Sequence, residues 1–482
     1  MQFNGLMRDA CYINGEWVKG SNNGTLKVIN PANGELVTEV PDLGVEEARL
    51  AIEAADRAFQ LWKKRTAKER AAIMHRWFQL IVENADSLAE LLTTEQGKPL
   101  REAKGEVLSC ASFFEWFSEE AKRTYGENIP SNTLSTRLLT IKQPVGVVSA
   151  ITPWNFPISM IARKAAPAIA AGCTIVIKPA EDTPLCALAL AALAEQAGVP
   201  AGVINVITTT RPVDVGHEMC TNPLVRKVSF TGSTPVGKII LGLAAPTVKK
   251  ASMELGGNAP FIVFDDADLD AAVTGAIASK YRNAGQTCIC TNRIYVQDGI
   301  YDAFAKRYQA AVEALNIGSG FETSTDIGPL INRAAVTKID GMVQHAVAQG
   351  ATLASGGKVD QAGELFYQPT LLTQVTDEMD IAQAELFGPI STLFRFTTED
   401  DVVKRANNTP YGLAAYVYTR DIGRVWRVSE NLEYGMVGVN EGMISNELAP
   451  FGGVKESGIG REGSKHGIDD YMELKYICMG GI

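Results

Sequence analysis

A cysteine near the middle of the chain has the setting of a catalytic nucleophile. It lies in the segment Asn283-Ala-Gly-Gln-Thr-Cys288-Ile-Cys290, after a predicted helix and a glycine-containing turn. Loops set on a rigid scaffold are where nucleophiles are exposed, and a thiolate is a strong nucleophile near neutral pH. The alternative is that Cys288 is a small buried apolar residue, which is the commoner role of an unpaired cysteine. This segment alone leaves both interpretations open.

A carboxylate followed by two glycines is a second candidate, in Ser252-Met-Glu254-Leu-Gly-Gly-Asn258. Glycines allow another chain or a ligand to come close to the backbone. The chain has only four histidines, which are far apart, so a general base is more readily sought among Glu and Asp. A solvated glutamate before an ordinary turn is the alternative for Glu254.

Three further turns carry polar or aromatic groups. Phe230-Thr-Gly232-Ser233-Thr-Pro-Val-Gly237 follows a predicted strand and opens a helix, where free N–H groups suit a phosphate. It is not a GxGxxG motif, and a simple strand-to-helix turn is the alternative. The prolines of Pro153-Trp-Asn-Phe-Pro157 fix a loop with an aromatic and an amide, and Glu385-Leu-Phe-Gly-Pro389 is a rigid turn with a carboxylate and an aromatic.

Composition restricts the possible classes of protein. The 482 residues are 46% hydrophobic and 21% charged, with a net charge of −10, which is ordinary for a globular protein and excludes disorder, collagen and a basic nucleic-acid binder. An anionic small substrate would need a local cationic pocket. Eight cysteines without a CxxC pair are too few for a disulfide framework, and the scattered histidines predict no metal site.

We predict a cytoplasmic protein without a membrane segment. The longest uncharged stretch, Val145–Ala162, is long enough to span a bilayer, but it contains Pro153, Asn155 and Pro157. A buried strand, a loop and a helix start fit it better. The N-terminus has neither the apolar core nor the small-residue cleavage site of a secretory signal.

The elements that must position these groups follow from periodicity. Tyr12–Trp17 carries an Asn-Gly turn that predicts a hairpin, a three-and-four spacing from Val45 to Trp62 predicts a helix, and Thr66–Glu69 is a capping box. From about Leu138, β-branched runs alternate with alanine-rich helical segments, which predicts a parallel sheet with helices on both faces. A second alternating section runs from near Ala259 to about residue 440. The tail, Tyr471–Met479, is predicted as a strand that a partner must cover.

Together these motifs resemble the aldehyde dehydrogenase superfamily over nearly the whole chain. MELGGNAP, GQTC, PWNFP, FTGST and ELFGP all occur in the order typical of the family, and the spacing of Glu254 and Cys288 also fits. The resemblance is greatest to the succinate semialdehyde dehydrogenase branch, through Arg163, Arg282, Ser445 and the ending Gly460–Tyr476. Glutarate semialdehyde dehydrogenases are close relatives that share much of this pattern.

The resemblance implies oxidation of an aldehyde to a carboxylate through a thiohemiacetal and a thioester. Cys288 would be the nucleophile, and the Asn155 amide with the Cys288 backbone N–H would stabilise the oxyanion. Glu254 would activate the water that hydrolyses the thioester. Because Glu254 provides for hydrolysis, a CoA-acylating enzyme is a weaker alternative.

The resemblance also implies a nicotinamide dinucleotide. Gly232 and Ser233 would lie at the pyrophosphate, Glu385 at the nicotinamide ribose and Lys178 at the adenosine ribose. Trp154, Leu255 and Phe387 would complete the site. Glu181 stands where NADP-using members of this branch have a small residue, and it would repel a 2′-phosphate, so we predict a preference for NAD, with NADP less favoured. The alternative is that Glu181 turns to solvent and both cofactors bind.

For the substrate, the resemblance implies an aldehyde with a distal carboxylate. Arg163 and Arg282 would bind that carboxylate, with Ser445 nearby and Phe451 lining the aldehyde tunnel. Succinate semialdehyde is predicted, with glutarate semialdehyde or another omega-carboxy aldehyde as the alternative, since one methylene changes binding by only about 1–3 kcal/mol. In relatives with Cys-x-Cys at this position, the pair resembles a redox switch that blocks the nucleophile, and Cys290 would be its second cysteine.

The predicted fold is α/β and aldehyde dehydrogenase-like. A Rossmann-type parallel-sheet domain for NAD takes residues 1–123 and 142–252, an α/β catalytic domain takes 253–453, and a small bridging β-sheet comes from 124–141 and 471–482. The resemblance implies a homodimer or homotetramer in which the tail strand adds to a neighbour's sheet. From another class of protein, a non-catalytic structural protein that retains the fold is the alternative, and loss of Cys288 or Glu254 would have favoured it.

Overall fold

The strands follow the predicted alternation closely. The structure is a computed structural model that describes residues 2–20 and 24–481. In this part of the chain the strands are β1 (Cys11–Ile13), β2 (Glu16–Val18), β3 (Thr25–Ile29), β4 (Leu36–Pro41), β5 (Asn128–Ile129), β6 (Thr136–Pro144), β7 (Val147–Ile151), β8 (Thr174–Lys178), β9 (Ile204–Val206), β10 (Val225–Thr231), β11 (Lys250–Glu254), β12 (Ala259–Val263), β13 (Thr291–Gln297), β14 (Thr352–Ser355), β15 (Thr370–Thr373), β16 (Ile390–Phe396), β17 (Ala414–Tyr418), β18 (Met436–Val439), β19 (Gly458–Ile459) and β20 (Met472–Gly480).

The α-helices occupy the segments between them. They are α1 (Val45–Trp62), α2 (Ala67–Glu83), α3 (Ala85–Gln96), α4 (Leu100–Glu120), α5 (Pro157–Ala171), α6 (Leu185–Gln196), α7 (Pro212–Thr221), α8 (Thr234–Ala244), α9 (Leu269–Tyr281), α10 (Tyr301–Glu313), α11 (Arg333–Ala348), α12 (Asp380–Gln383), α13 (Glu399–Asn407) and α14 (Ile422–Asn431). The capping box before α2 is present, because the Thr66 hydroxyl accepts from the Glu69 N–H while Glu69 accepts from the Thr66 N–H.

The first large sheet is doubly wound. Its order is β19-β11-β10-β7-β8-β9-β1-β2, and the five strands from β11 to β9 run parallel. The chain lays down β7, β8 and β9 in one direction and then returns to add β10 and β11 on the other side of β7. Such a reversal leaves a crevice at the carboxyl ends of the strands, where α/β proteins bind ligands. The predicted α/β class with a parallel cofactor-type sheet is confirmed.

Alternate residues of the central strands pack into two cores. Val147 and Ile151 of β7 join a cluster with α1, α7 and α8, whereas Val148 and Ala150 join a cluster with α2 to α6. This alternation follows from the two-residue period of a strand. Helices therefore cover both faces of the sheet, and its central strands β7, β8 and β9 are buried along their length.

The second large sheet carries the other half of the site. Its order is β14-β15-β16-β13-β12-β17-β18, with parallel pairing throughout except between β14 and β15. A separate hydrophobic cluster surrounds it. The strands of the first sheet end at Glu254 and those of the second begin at Ala259, apart from the short return strand β19, so the chain passes between the two sheets through Leu255–Asn258. The predicted domain boundaries stay predictions.

A third sheet has the order β20-β6-β5, with β20 and β6 paired over nine residues. β20 lies at its edge and exposes Leu474, Tyr476 and Met479. Such an edge is a place where another chain can add a strand. The oligomer stays a prediction. No helix in the described residues is sufficiently long and apolar to cross a bilayer.

Candidate active site

The site lies at the carboxyl ends of neighbouring parallel strands. Asn155 follows β7, Ser233 follows β10, and Glu254 is the last residue of β11. Cys288 comes from the second half of the chain, on the loop between α9 and β13. The nucleophile candidate is thus brought from the second sheet to the crevice of the first.

The loop that carries Cys288 is held by an unusual backbone path. Asn283 and Ala284 have left-handed backbone angles, with φ of 52° and 55°. Gly285 also has positive φ, and a Cβ there would lie 2.2 Å from the Gly388 carbonyl oxygen, so only glycine fits. The buried Gln286 side chain then donates to the Asn283 carbonyl and accepts from the Ile331 N–H. These contacts fix the approach to Cys288.

Cys288 is partly exposed and lines two cavities that meet at its side chain. Burial of the sulfur, and next the charge of Glu254, raise the pKa of the Cys288 thiol to about 12. Arg163 and Arg282 act in the opposite direction and favour the thiolate. Their positive charge is therefore placed to assist the form of the cysteine that attacks a carbonyl.

Glu254 is fully enclosed among charged residues. Neither of its carboxylate oxygens has a hydrogen-bond partner in the described residues. Burial, followed by the negative charge of Glu462, raises the pKa of Glu254 well above its usual range, while Lys164 and Arg163 oppose that rise. A carboxyl group with a raised pKa and free lone pairs is suited to accept a proton from water.

Asn155 is almost fully buried and held on both sides. Its side-chain Nδ2 donates to the backbone carbonyl of Gln286 over 2.9 Å. The backbone carbonyl of Asn155 accepts from Asn283 Nδ2 over 2.8 Å. An amide nitrogen carries two protons, so one N–H of Asn155 is left for another acceptor. The side chain lines the same cavity as Cys288.

The first cavity, of about 330 Å³, contains most of the predicted cofactor residues. Trp154 and Phe387 contact each other edge to face, with ring centroids 5.6 Å apart. The predicted residues in its lining are Trp154, Gly232, Ser233, Leu255, Glu385 and Phe387, together with Asn155, Glu254 and Cys288. The structure therefore brings together the residues that the sequence assigned to the nicotinamide and pyrophosphate ends.

These residues fit a dinucleotide. Ser233 is the N-cap of α8 and makes no side-chain hydrogen bond to the helix, so the N–H groups of its first turn are not capped by that side chain. Such a helix start is suited to a phosphate. Glu385 accepts from the Gly257 N–H over 3.0 Å, and burial raises its pKa to about 7. A half-buried carboxylate beside an uncapped helix start and an apolar wall suits ribose hydroxyls and a planar ring.

Two predicted cofactor residues stand apart from this lining. Lys178 ends β8 and donates to Glu181 over 2.8 Å and to the Pro179 carbonyl over 3.1 Å. Lys178 is buried, whereas the Glu181 side chain is 35% exposed. Neither residue lines the first or the second cavity. Their roles stay predictions.

The second cavity, of about 350 Å³, contains the four predicted substrate residues. Arg163 donates to the Ser445 hydroxyl over 2.6 Å, and its guanidinium lies 4.1 Å from the centroid of Phe451. The Arg282 guanidinium lies 5.0 Å from the centroid of Phe156. The cavity thus combines two guanidinium groups with aromatic walls.

The charge around Arg163 is only partly compensated. Its nearest carboxylate, Glu462, is 3.7 Å away, which is too far for a hydrogen bond. Glu462 is bonded to Lys164 over 2.7 Å, so one carboxylate serves two cations. The Nε and one terminal nitrogen of Arg163 have no hydrogen-bond partner in the described residues. This arrangement favours an anion in the cavity.

Cys290 is buried behind the nucleophile, where its sulfur accepts from Lys280 Nζ over 3.2 Å. Both Cys288 and Cys290 are free thiols here. The redox role stays a prediction. Among the described residues, no group of three or more His, Cys, Asp and Glu is arranged to hold a metal.

Several residues of the site were not predicted from the sequence. The charges of Lys164 and Glu462 shift the pKa of Glu254 in opposite directions, and Met160 lines both cavities. The consecutive cations Arg163 and Lys164 within the otherwise apolar helix α5 indicate a buried charge, because a buried cation needs a partner. No feature of the sequence identifies Glu462 as that partner, since it lies about 300 residues away.

Comparison with known proteins gives consistent results. The model of the aldehyde dehydrogenase family matches residues 17–477. The chain is 57% identical over 477 residues to a glutarate-semialdehyde dehydrogenase of Pseudomonas aeruginosa, covering 99% of both chains. It is 57% identical to the succinate-semialdehyde dehydrogenase (NADP(+)) GabD of Escherichia coli, covering 98% of both. A crystal structure of succinate-semialdehyde dehydrogenase from Burkholderia pseudomallei has a TM-score of 0.98 and 58% identity, with 98% of each chain covered. The chain belongs to the aldehyde dehydrogenase family and is an oxidoreductase.

Proposed function

We propose that the protein oxidises succinate semialdehyde to succinate with NAD as the preferred cofactor. The single observation that carries this proposal is the position of Cys288, which lines both the dinucleotide-type cavity and the cavity with Arg163 and Arg282. An aldehyde whose far end is held by the guanidinium groups would present its carbonyl to the sulfur. A carboxylate at that far end matches the partly compensated positive charge.

The reaction begins at Cys288. Its thiolate attacks the carbonyl carbon, and the free N–H of Asn155 with the Cys288 backbone N–H binds the oxygen that becomes negative. A bound nicotinamide dinucleotide would supply the hydride acceptor that this oxidation needs. Ser233 and Glu385, which line the first cavity, would hold the dinucleotide there. The Cys288 thioester that results is the substrate of the last step.

Hydrolysis falls to Glu254. Its raised pKa makes the carboxylate a stronger base, and its unbonded oxygens are free to take a proton from water. The resulting hydroxide attacks the thioester carbonyl, the carbon–sulfur bond to Cys288 breaks, and the free acid leaves while Cys288 returns as a thiolate. Lys164 and Arg163 oppose this rise in the pKa of Glu254.

The preference for NAD rests on the pair formed by Lys178 and Glu181. The Glu181 carboxylate forms a salt bridge of 2.8 Å with the Lys178 ammonium, so the positive charge that a 2′-phosphate would need is already compensated. Its carboxylate can instead accept from ribose hydroxyls. A relative that is 57% identical is named for NADP(+), so this preference depends on Glu181 itself rather than on the family.

Glutarate semialdehyde is the second candidate substrate. The chain is as similar to a protein named for it as to one named for succinate semialdehyde. The cavity of about 350 Å³ has volume for one more methylene. Both substrates would use the same guanidinium groups, so the preference between them depends on the length of the substrate.

Initial rates of the purified protein under thiol-reducing conditions test the proposal. We expect turnover with succinate semialdehyde and NAD, lower kcat/KM with NADP, and much lower kcat/KM with the neutral aldehyde hexanal. Higher kcat/KM with glutarate semialdehyde would reassign the substrate but not the site. Activity on hexanal alone would show that Arg163 and Arg282 do not bind substrate. Absence of all turnover would favour the non-catalytic alternative.

A further inference from the structure

A buried ammonium group lies behind the loop that carries Asn155. Lys98 is on the turn between α3 and α4, far from Asn155 in sequence, and is only 2% exposed. Its Nζ donates to the backbone carbonyl of Asn155 over 2.8 Å and to the carboxylate of Glu106 over 2.5 Å. Burying a charged lysine away from water costs free energy, so these two contacts must compensate the ammonium.

Glu106 extends the contact to the helix that follows Asn155. One of its carboxylate oxygens pairs with Lys98, and the other accepts from the N–H groups of Ile158 and Ser159, each over 3.2 Å. These N–H groups belong to the first turn of α5, where a negative charge is favoured. A single ion pair thus joins the carbonyl of Asn155 to the start of α5.

The same ammonium also holds the residue between them. Lys98 Nζ lies 3.9 Å from the centroid of the Phe156 ring. Four of the five residues from Asn155 to Ser159, all but Pro157, are therefore held by Lys98 or Glu106, either at the backbone or at an aromatic face. Asn283 supplies the second donor to the Asn155 carbonyl.

We propose that Lys98 is a positioning residue that holds the Asn155 amide in place to stabilise the oxyanion formed on the substrate. This rests on the proposed role of Asn155. Lys98 has no place in the lining of either cavity, so it acts through Asn155 and Phe156 and not on the substrate. Without the ammonium, the Asn155 carbonyl loses one of its two donors and Glu106 loses its counter-ion.

The test is a double-mutant cycle between Lys98→Met and Asn155→Ala. Asn155→Ala should lower kcat about 100-fold or more, the usual effect of losing an oxyanion donor. Lys98→Met should lower kcat by up to about 100-fold, the effect of displacing a catalytic group by about 1 Å. If Lys98 acts through Asn155, the double variant should match Asn155→Ala within about twofold.

Two readouts separate positioning from general damage. Acylation of Cys288 by an activated ester forms an oxyanion and needs no dinucleotide, so its rate should fall with kcat in Lys98→Met. Alkylation of Cys288 by iodoacetamide is a direct displacement without an oxyanion, so its rate should not change. The dissociation constant of NAD should also stay constant. A disrupted site would alter all of these measurements together.

The controls address folding and charge. Lys104→Met makes the same change on α4, at a half-exposed lysine paired with Asp86, and should leave every rate unchanged. Because Lys98→Met leaves Glu106 buried without a counter-ion, thermal unfolding is measured alongside. If that variant does not fold, Lys98→Met combined with Glu106→Gln removes both charges and takes its place in the cycle.

Three results would overturn the proposal. Fully additive losses in the double variant would show that Lys98 does not act through Asn155. Unchanged ester acylation in a folded Lys98 variant would show that the oxyanion site does not depend on it. Wild-type activity of Asn155→Ala would instead remove the role of Asn155, and the Lys98 proposal with it, while leaving the substrate rates as the test of the proposed function.

Discussion

The backbone carbonyl of Cys288 lies directly against Gly257. A Cβ built on Gly257 would lie 2.2 Å from that oxygen, far inside contact distance. The glycine pair after Glu254 therefore allows the loop of the nucleophile to approach the base. What comes close to this glycine is thus another segment of the same chain, the loop that carries Cys288.

Gly257→Ala should disable the enzyme by displacing Cys288. The new methyl group meets a backbone carbonyl that cannot rotate away, so the loop must move by several tenths of an ångström or more. We expect kcat to fall about 100-fold, as for a 1 Å misplacement of a catalytic group. Steady-state kinetics check this.

Gly216→Ala is the matched control. Gly216 lies within α7 and a Cβ there meets nothing within 4 Å, so this variant should keep full activity and gain about 1 kcal/mol of stability. Equal activity of the two variants would contradict the assigned contact.

The sequence predicts the framework of the site well. The alternation of strands and helices predicts β7, β8, β9 and β10, and a parallel sheet then places the residues after them at one edge. The family motifs then identify Cys288 as the residue of the second half that faces this edge. The resemblance, and not the local pattern, singles out Cys288, Glu254 and Asn155, and their catalytic roles stay predictions.

The partners of these residues could not be predicted in the same way. Lys98 reaches Asn155 and Glu462 reaches Lys164 across long sequence separations, and neither has a motif of its own. These lysines stand out because their charged side chains are buried, and burial can be seen only in the folded chain. The pairing of Lys178 with Glu181, which compensates the lysine's charge, likewise depends on side-chain geometry.

Loss of one guanidinium should affect charged substrates selectively. Arg282→Met should raise the KM for succinate semialdehyde about tenfold to 100-fold, because a hydrogen bond to a charged group contributes about 1.5–3 kcal/mol. The kcat/KM for hexanal should change little. The comparison is made by steady-state kinetics on both aldehydes.

Arg101→Met provides the control, since Arg101 is half exposed, pairs with Asp326 and lines neither cavity. An equal loss on hexanal and succinate semialdehyde in Arg282→Met would mean that this arginine supports the fold of the site and does not bind the carboxylate.

Cofactor choice should respond to Glu181. Glu181→Ser removes the carboxylate that occupies Lys178, so the ammonium becomes available to a 2′-phosphate. We expect the ratio of kcat/KM for NADP to that for NAD to rise about tenfold, equivalent to about 1.4 kcal/mol. Kinetics with each dinucleotide measure it.

Glu119→Ser breaks a lysine–glutamate pair with the same i,i+3 spacing elsewhere on the surface and should not alter the ratio. A wild type that already prefers NADP, or a ratio unchanged by Glu181→Ser, would refute the role of Glu181.

The reactivity of Cys288 should increase with pH in the free enzyme. Because the pKa of the thiol is raised to about 12, the thiolate is the minor form at neutral pH, and iodoacetamide alkylation should accelerate about tenfold per pH unit below that value. The ionised Glu254 raises this pKa, so Glu254→Gln should be alkylated faster than the wild type at alkaline pH.

Rates are followed by mass spectrometry of the Cys288 peptide. Cys290→Ser should leave them unchanged apart from small effects of packing, and Cys288→Ser should abolish the modification. Slower alkylation of Glu254→Gln would show that Glu254 deprotonates the thiol, contrary to the division of roles proposed above.

The central claim is that Cys288 receives the acyl group of succinate semialdehyde and Glu254 releases it. The most direct measurement is rapid quenching of Glu254→Gln mixed with succinate semialdehyde and NAD, followed by mass spectrometry of its peptides. We predict one equivalent of NADH per site in a burst and a succinyl thioester accumulating on Cys288, because hydrolysis lacks its base. Wild-type turnover by Glu254→Gln, or an acyl group found on any residue other than Cys288, would contradict the account.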